Sequence, residues 1–283
     1  MIAPFELVRA GSLAEALELL ESDPEAHVLA GGTALVLLMK QGLLRPSRLI
    51  DIGGLAELRG IRMNGDLRIG ALTTHLEAER SALVRRHCPA LASCFGTVAT
   101  VRIRAQGTVG GNLAHADPAQ DPPPMLVALG AVAVLESGAG RREVPMEDLF
   151  VDVFETSIGP GELLREIVVP PLAEGARATY VKFLPRTEDD YATVSVGAVL
   201  RVDAGGRCAD VRVALGSVGP TPVRARRVES ALRGERVTPA RLREAAMLVR
   251  EEVDPIADAR GSAAYKREMA GVWTERALRA LLP

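Results

Sequence analysis

Hydrophobic and polar positions switch between strand-like and helix-like periods along the first half of the chain. SLAEALELLE, residues 12–21, places apolar residues at helical spacing, and Ser12 with Glu15 predicts a capping box. HVLAGGTALVLLMKQG predicts a short apolar strand that runs into Gly31 and Gly32 and then into a helix ended by Gly42. This alternation predicts a layered α/β arrangement.

The following segments continue the alternation. RLIDIG, LRIGAL and AVAVLES are predicted strands, and TTHLEAERS, SALVRRHCPALASCF and PPPMLVALG are predicted helices. The last of these helices begins with proline, which the first helical turn tolerates.

The pattern of apolar and polar positions changes from residue 177. ARATYVKFLPR, YATVSVGAVLRV and CADVRVALGSV predict three successive strands, followed by helical patterns at 225–233, 239–252 and 262–282. Strands that precede helices suggest a smaller α+β domain, with PPLAEGA at 170–176 as the linker. We therefore expect two domains, residues 1–172 and 173–283.

Composition and charge narrow the function. The 283 residues are 48% hydrophobic with a net charge of −2, which argues against an extended basic surface for nucleic acid. The longest apolar run, MLVALGAVAVL, is too short to span a bilayer, and we expect a cytoplasmic protein with no transmembrane segment. Cys88, Cys94 and Cys208 form no C-x-x-C pair and cannot hold an iron-sulfur cluster unaided. With His75 and His87, the first two fit no zinc template.

Two glycine-rich loops are the candidate binding elements. A strand, Gly31-Gly32-Thr33 and a helix expose backbone N–H groups at a helix N-terminus, which suits phosphate. The second loop, with the sequence TVGGN from Thr108 to Asn112, offers the same bare backbone plus two side-chain donors. Together the loops are suited to holding a diphosphate, although paired glycines more often only make a turn.

The acidic residues that follow leave alternatives open. The chain contains neither G-x-G-x-x-G nor G-x-x-x-x-G-K-[ST], so it has no Rossmann fingerprint or P-loop. Asp121, before Pro122, suits a helix N-cap as well as a ribose contact. Asp117 and Asp121 are also conceivable metal ligands, but nothing else supplies the oxygen ligands that magnesium or calcium needs.

Several segments together carry a family resemblance. AGGTALVLLMKQGLLRPSRLIDIG, RIGALTTH, IRAQGTVGGNLAHADPAQDPPPMLVALGA, GELLREIVVP, KFLPRTEDDYATVSVGAVL and DARGSAAYKREMAGVWTERAL occur in that order. They resemble the FAD-binding medium subunits of molybdenum hydroxylases, the family of the carbon monoxide dehydrogenase medium subunit and the xanthine dehydrogenase flavin domain. The resemblance covers essentially the whole chain.

The resemblance implies an α+β fold: a two-part α/β FAD-binding domain of the PCMH type, then a smaller domain with a three-stranded antiparallel sheet and helices. It implies that FAD contacts these residues: Ala30, Gly31, Gly32, Thr33 and Ala34 in the first diphosphate loop, Thr108, Val109, Gly110, Gly111 and Asn112 in the second, and Asp121. Lys182 and Tyr191 match positions near the isoalloxazine ring, and Leu164 matches a segment lining that pocket. No catalytic residue or metal ligand is assigned.

The sequence also departs from the family pattern. The first loop usually continues with His or Gln and then Ser, where this chain has Thr33 and Ala34. Before the second loop, Gln-Ile-Arg-Asn is replaced by RIRA, residues 102–105. These changes leave the predicted backbone cradle intact and alter its side-chain contacts.

Lys182 and Tyr191, which match positions near the isoalloxazine ring, each have a second interpretation. Only 3 of the 34 Lys and Arg residues are lysines, so Lys182 inside an apolar strand is unusual. Its ammonium is suited to stabilising a reduced flavin, or it extends to solvent like an ordinary strand lysine. Tyr191 lies either beside the flavin or in the core with its hydroxyl hydrogen-bonded.

The implied function is electron transfer within a larger oxidoreductase. A large subunit with the molybdenum cofactor oxidises the substrate, a small subunit with 2Fe-2S clusters relays electrons, and this chain passes them through FAD to NAD, quinone or oxygen. The implied assembly is a dimer of heterotrimers. Two alternatives remain: a stand-alone flavoprotein reductase and a flavin-free scaffold subunit.

Overall fold

The computed structural model describes residues 2–184, 187 and 190–282. The strands are β1 (Glu6–Arg9), β2 (His27–Leu29), β3 (Arg48–Asp51), β4 (Ile61–Asn64), β5 (Asp66–Gly70), β6 (Val132–Ser137), β7 (Gly140–Pro145), β8 (Phe150–Asp152), β9 (Glu155–Thr156), β10 (Leu163–Val169), β11 (Ala176–Phe183), β12 (Val194–Val202), β13 (Cys208–Gly216) and β14 (Val223–Arg224). The α-helices are α1 (Leu13–Ser22), α2 (Leu35–Gln41), α3 (His75–Arg80), α4 (Ala82–His87), α5 (Pro89–Gly96), α6 (Val101–Gln106), α7 (Val109–His115), α8 (Pro122–Leu129), α9 (Arg226–Leu232), α10 (Pro239–Met247) and α11 (Ala263–Ala280). Pro185 and Arg186, which end one predicted strand, lie outside the described residues.

The first layer is a small parallel sheet in the order β1-β3-β2. Helix α1 packs beside it and begins as predicted, because Ser12 Oγ accepts a hydrogen bond from Glu15 N at 3.2 Å. The other half of the capping box differs, since the Glu15 carboxylate accepts from Gly11 N at 2.7 Å instead of from Ser12 N. The predicted strand, glycine pair and helix are confirmed in β2 and α2, and Gly42 ends α2 in the left-handed conformation.

The second layer is a five-stranded antiparallel sheet, β4-β5-β10-β6-β7, which shares a core with α3, α4, α5, α7 and α8, while α6 packs on α3. The helix predicted for SALVRRHCPALASCF is two helices, because α4 ends before Cys88 and α5 starts at Pro89. The residue before a proline disfavours helical backbone, and Cys88 is extended with φ −153°. The segment before Asp117 also contains α6 and α7, which the sequence pattern did not predict.

The C-terminal sheet has the order β11-β12-β13-β14, and all its pairs are antiparallel. Its three long strands and the helices α9, α10 and α11 were predicted, whereas the two-residue β14 was not. The mixed α+β architecture is therefore confirmed. Among the described helices, none combines the length and apolar character that crossing a bilayer requires.

Helix α8 connects the two halves of the chain. All eight of its residues are buried, and it packs against β12 and β13 as well as the N-terminal helices. A helix that is apolar on every side belongs in the interior of a protein. Gly197 of β12 permits the approach, because a Cβ there would lie 2.7 Å from Met125 Cα.

Candidate functional site

A cavity of about 240 Å³ lies where the two predicted glycine-rich loops meet. Its walls are formed by Ala30, Gly31, Gly53, Arg59, Leu72, Thr74, Ala105, Gln106 and Thr108. The lining therefore joins the first loop, the start of the second loop and the segments on either side of β4 and β5. Two elements that are 78 positions apart, from residue 30 to residue 108, share one site.

The first loop, residues 30–34, keeps the free backbone that was predicted. Within the described part of the chain, no group accepts a hydrogen bond from the backbone N–H of Gly31, Gly32, Thr33 or Ala34. Gly32 has φ +70°, a conformation that favours glycine because it lacks a Cβ. The loop leads into α2, so its N–H groups lie at the positive end of a short helix.

The second loop, residues 108–112, does not have a bare backbone, and that prediction is wrong. Thr108 is the N-cap of α7. The four N–H groups of 109–112 donate, in order, to Thr73 O (2.8 Å), Ala71 O (2.8 Å), Thr108 Oγ1 (3.1 Å) and Thr108 O (3.0 Å). The Thr108 hydroxyl accepts one of these bonds and keeps its own proton for donation.

The glycines of both loops are required for packing within the protein. A Cβ on Gly31 would lie 2.2 Å from Gln106 O, and a Cβ on Gly110 would lie 2.5 Å from Ala71 Cβ. Such distances do not occur between real atoms, so a side chain at either position must displace backbone. Gly31 allows the first loop to touch the end of α6, and Gly110 allows α7 to touch the end of β5.

Asp121 does not act as the helix N-cap that was predicted as one alternative. It directly precedes α8, but its side chain makes no capping bond. Its Oδ1 accepts from the Tyr180 hydroxyl at 2.6 Å, and its Oδ2 accepts from Lys182 Nζ at 2.9 Å. Lys182 Nζ also donates to Thr97 O at 2.8 Å. Both charged side chains are only 4% exposed, so the solvent-exposed alternative for Lys182 is also wrong.

Burial controls the protonation of this cluster. Burial raises the pKa of Asp121, and the charge of Lys182 together with the Tyr180 hydrogen bond opposes that rise. Burial, followed by the charge of Asp121, holds the pKa of Tyr180 well above its usual value. Tyr180 therefore stays protonated and donates to the carboxylate.

Tyr180 was missed by sequence reasoning, although a signal for it exists. Tyr180 and Lys182 are two positions apart in β11, and residues at that spacing point to the same face of a strand. Lys182 is paired with Ser195 of β12, whose Oγ is buried and has no partner among the described residues. Gln120 Oε1, next to Asp121, is likewise buried without a partner there.

Tyr191 and Leu164 lie elsewhere than the cavity. Tyr191 is 46% exposed, which excludes the core position that was one alternative, and the Arg260 guanidinium carbon lies 5.5 Å from its ring centre. Partial burial, followed by the charge of Asp117, raises the pKa of Tyr191 to about 12. Leu164 is buried in β10 opposite Leu135 of β6, within the main hydrophobic core.

The predicted residues thus form two groups. One group lines or supports the cavity between the glycine-rich loops, and the other, Asp121 and Lys182, forms a closed cluster with Tyr180, which was not predicted. Leu164 and Tyr191 belong to neither group. The cavity fits an anionic diphosphate because the first loop supplies unpaired N–H groups and Thr108 supplies a hydroxyl proton. Asn112 Oδ1 is buried without a partner in the part of the chain that the structure describes, which leaves an acceptor for a ligand donor.

Similar proteins cover the same length of chain. Residues 3–172 match the family described as FAD binding domain in molybdopterin dehydrogenase, and residues 179–281 match the CO dehydrogenase flavoprotein C-terminal domain. The glyceraldehyde dehydrogenase medium chain of Sulfolobus acidocaldarius is 35% identical, with 97% of each chain covered. The carbon monoxide dehydrogenase medium chain of Hydrogenophaga pseudoflava is 38% identical, with 99% of this chain and 98% of the relative covered.

Solved structures of two similar enzymes superpose on almost the whole chain. The structure of carbon monoxide dehydrogenase from Hydrogenophaga pseudoflava superposes with a TM-score of 0.95 at 38% identity, covering 99% of this chain and 98% of the other. Quinoline 2-oxidoreductase from Pseudomonas putida 86 superposes with a TM-score of 0.93 at 32% identity, covering 99% and 98%.

Proposed function

Because the chain belongs to the family of FAD-binding subunits of molybdopterin dehydrogenases, we propose that it passes electrons from a partner's iron-sulfur clusters through FAD to an external acceptor. The observation that carries this proposal is the cavity lined by Ala30 and Gly31 of the first loop and by Thr108 of the second, next to loop N–H groups at 31–34 that have no acceptor among the described residues. The family match indicates the class of cofactor. The cavity is the space in which these residues would bind its diphosphate.

The proposed division of the chain follows the two family matches. Residues 1–172 form the FAD-binding domain, and residues 173–283 form the C-terminal domain. Support comes from the loop between β10 and β11 and from the separate hydrophobic cluster under the C-terminal sheet.

In this proposal the cavity residues hold the diphosphate of FAD. The N–H groups of residues 31–34 donate to phosphate oxygens, and the Thr108 hydroxyl adds one donor. Val109, Gly110 and Gly111 act through packing, because their own N–H groups are used inside the protein. Asn112 offers its unpaired Oδ1 to a ligand donor.

The second group of residues lies toward the flavin ring in this proposal. Asp121 and Tyr180 fix the Lys182 ammonium in place, so that its charge and remaining N–H stay oriented. Leu164 and Tyr191 complete the pocket, as the resemblance implies. Bound FAD would exchange electrons singly with iron-sulfur clusters and in pairs with an acceptor.

The proposed partners are a small iron-sulfur subunit and a large subunit with the molybdenum cofactor, assembled as a dimer of heterotrimers. Support comes from the similar proteins, which are described as medium chains of carbon monoxide and glyceraldehyde dehydrogenases. The organic substrate then meets the molybdenum subunit and not this chain.

The cofactor is tested by saturating the purified chain with FAD, desalting it and recording its absorbance. Retained bands at about 370 and about 450 nm, in proportion to protein, are expected. Gly31→Ala should lose the flavin, because its Cβ would lie 2.2 Å from Gln106 O. Gly54→Ala is the matched control, since no atom lies within 4 Å of its Cβ position. Absence of flavin from both the chain and its co-purified complex would contradict the proposal.

Electron transfer is tested on the assembled complex with and without its flavin. After substrate is added without oxygen, the iron-sulfur absorbance should bleach in both preparations. Only the flavin-loaded complex should reduce the external acceptor. Acceptor reduction at an unchanged rate after flavin removal would contradict the role of this chain.

A further inference from the structure

We infer that Arg59 is a binding residue for the diphosphate and selects a dinucleotide over a bare flavin. This inference rests on the proposed FAD site. Neither the sequence motifs nor the family resemblance pointed to this residue. Arg59 lies in the wall of the cavity that the first loop borders.

The backbone around Arg59 is firmly held. Arg59 follows a short 3₁₀ turn, and its N–H donates to Ala56 O at 3.0 Å. The flanking carbonyls are bound by the β5 segment: Leu72 N donates to Leu58 O at 2.8 Å, and Gly70 N donates to Gly60 O at 2.9 Å. The Arg59 side chain therefore starts from a fixed point at the cavity.

The guanidinium of Arg59 is held by one hydrogen bond, and most of its N–H donors remain free in the described part of the chain. Its Nη2 donates to the carbonyl of Gly53, another wall residue, at 2.9 Å. That bond takes one of its five N–H donors, which leaves Nε and Nη1 available. A guanidinium with free N–H donors on two neighbouring nitrogens can bind two phosphate oxygens at once.

The charge of Arg59 is not neutralised nearby. Arg59 is the sole charged side chain among the described residues that line the cavity, and it takes part in none of their ion pairs. Asp51 is paired with Arg9 at 3.0 Å, and Glu57 accepts from Leu13 N at 3.0 Å. On the other wall, the Glu77 carboxylate is bound by N and Oγ1 of Thr74.

These contacts give the cavity complementary donors for a dianion. Uncharged N–H groups of the first loop border it, and Arg59 supplies the positive charge. Riboflavin lacks phosphate, so it gains nothing from Arg59. Because a charge-assisted hydrogen bond at a partly exposed site is of modest strength, Arg59→Gln should bind FAD about tenfold more weakly.

The experiment titrates the full-length chain, stripped of flavin, with FAD, riboflavin and ADP at low and high salt. Arg59→Gln is compared with Arg86→Gln, a control on the exposed face of α4, remote in sequence from the cavity walls. Arg59→Gln should weaken FAD and ADP about tenfold and leave riboflavin unchanged, whereas Arg86→Gln should change none of them. Arg59→Lys should restore part of the affinity, since it keeps the charge without the paired donors.

The outcomes separate this inference from the proposed function. Unchanged FAD affinity in Arg59→Gln, or equal losses for FAD and riboflavin, would overturn the inference alone. ADP binding that depends on Arg59 in a chain and complex that never bind FAD would support the diphosphate contact and contradict the flavin function. A wild-type protein that binds neither FAD nor ADP, both as the purified chain and in its co-purified complex, would overturn both.

Discussion

The two glycine-rich loops have similar sequences but differ in what their backbones do. The N–H groups of residues 31–34 have no acceptor in the described part of the chain, whereas the N–H groups of 109–112 are all bonded inside the protein. The Asp121 carboxylate that follows the second loop is also fully bonded, to Tyr180 and Lys182. One loop is therefore open to a ligand, and the other is a structural support that presents a single hydroxyl.

The difference shows that a Gly-Gly pair has at least two physical uses. Gly32 provides a left-handed turn, while Gly31 and Gly110 allow backbone to approach neighbouring segments. A Cβ on Gly107 would lie 3.3 Å from Thr33 Oγ1 and 3.5 Å from His75 Cδ2, and His75 N donates to Gly107 O at 3.0 Å. The two loops thus meet at one junction, where changes in either should be felt by the cavity.

The largest expected effect comes from breaking the closed cluster behind the second loop. Asp121→Ala leaves Lys182 charged and buried without its partner, and we expect a loss of about 4 kcal/mol in the free energy of unfolding. Urea unfolding measures it. The double variant Asp121→Ala, Lys182→Met should recover much of the loss, because no charge remains buried. A double variant as unstable as the single one would contradict a charge-based explanation.

The second-largest expected effect is a pH dependence of stability that is caused by His75, at the junction of the two loops. Burial, followed by the charge of Arg104, lowers the pKa of His75 from 6.5 to about 4. Between these two pKa values, His75 therefore binds a proton in the unfolded chain but not in the folded chain. The contribution of His75 to the free energy of unfolding is therefore complete above pH 6.5. It is lost as the pH falls toward 4, by about 3 kcal/mol in total.

His75→Gln should remove that part of the pH dependence. The measurement is the free energy of unfolding of both proteins at intervals across the window, compared as a difference. His27→Gln, in β2, is the control substitution. If wild type and His75→Gln lose stability in parallel, His75 is not the group responsible.

The smallest expected effect distinguishes packing from ligand binding in the second loop. Gly110→Ala should lower the free energy of unfolding by about 2 kcal/mol without FAD present, because the added Cβ meets Ala71. Gly96→Ala in α5 is the matched control, since its Cβ would lie 3.5 Å from Glu79. An apo-protein as stable as wild type that nevertheless loses FAD would show that Gly110 faces the ligand.

Local structure was largely predictable because it depends on neighbouring residues. The strand, glycine pair and helix of β2 and α2, the Ser12 cap and the three long C-terminal strands all follow local rules. The break before Pro89 was available from the same rules but was overlooked. The family resemblance supplied the cofactor class, which no local pattern contains.

The errors in the site arose from contacts between distant segments. The Asp121 carboxylate accepts hydrogen bonds from Tyr180 and Lys182, which are 59 and 61 residues away, and does not cap α8. The N–H groups of Val109 and Gly110 are taken by carbonyls at the end of β5, which only the folded chain brings near. Arg59 carries no motif, so only the shape of the cavity reveals it.

The burial of α8 limits how this subunit can be divided by truncation. Its side chains share one core with Val199 and Ala214 of the C-terminal sheet. A fragment that stops at residue 172 would expose that apolar helix to water, although the family boundary falls there. Such a fragment is a poor candidate for soluble expression, and both matched regions are best produced as one continuous chain.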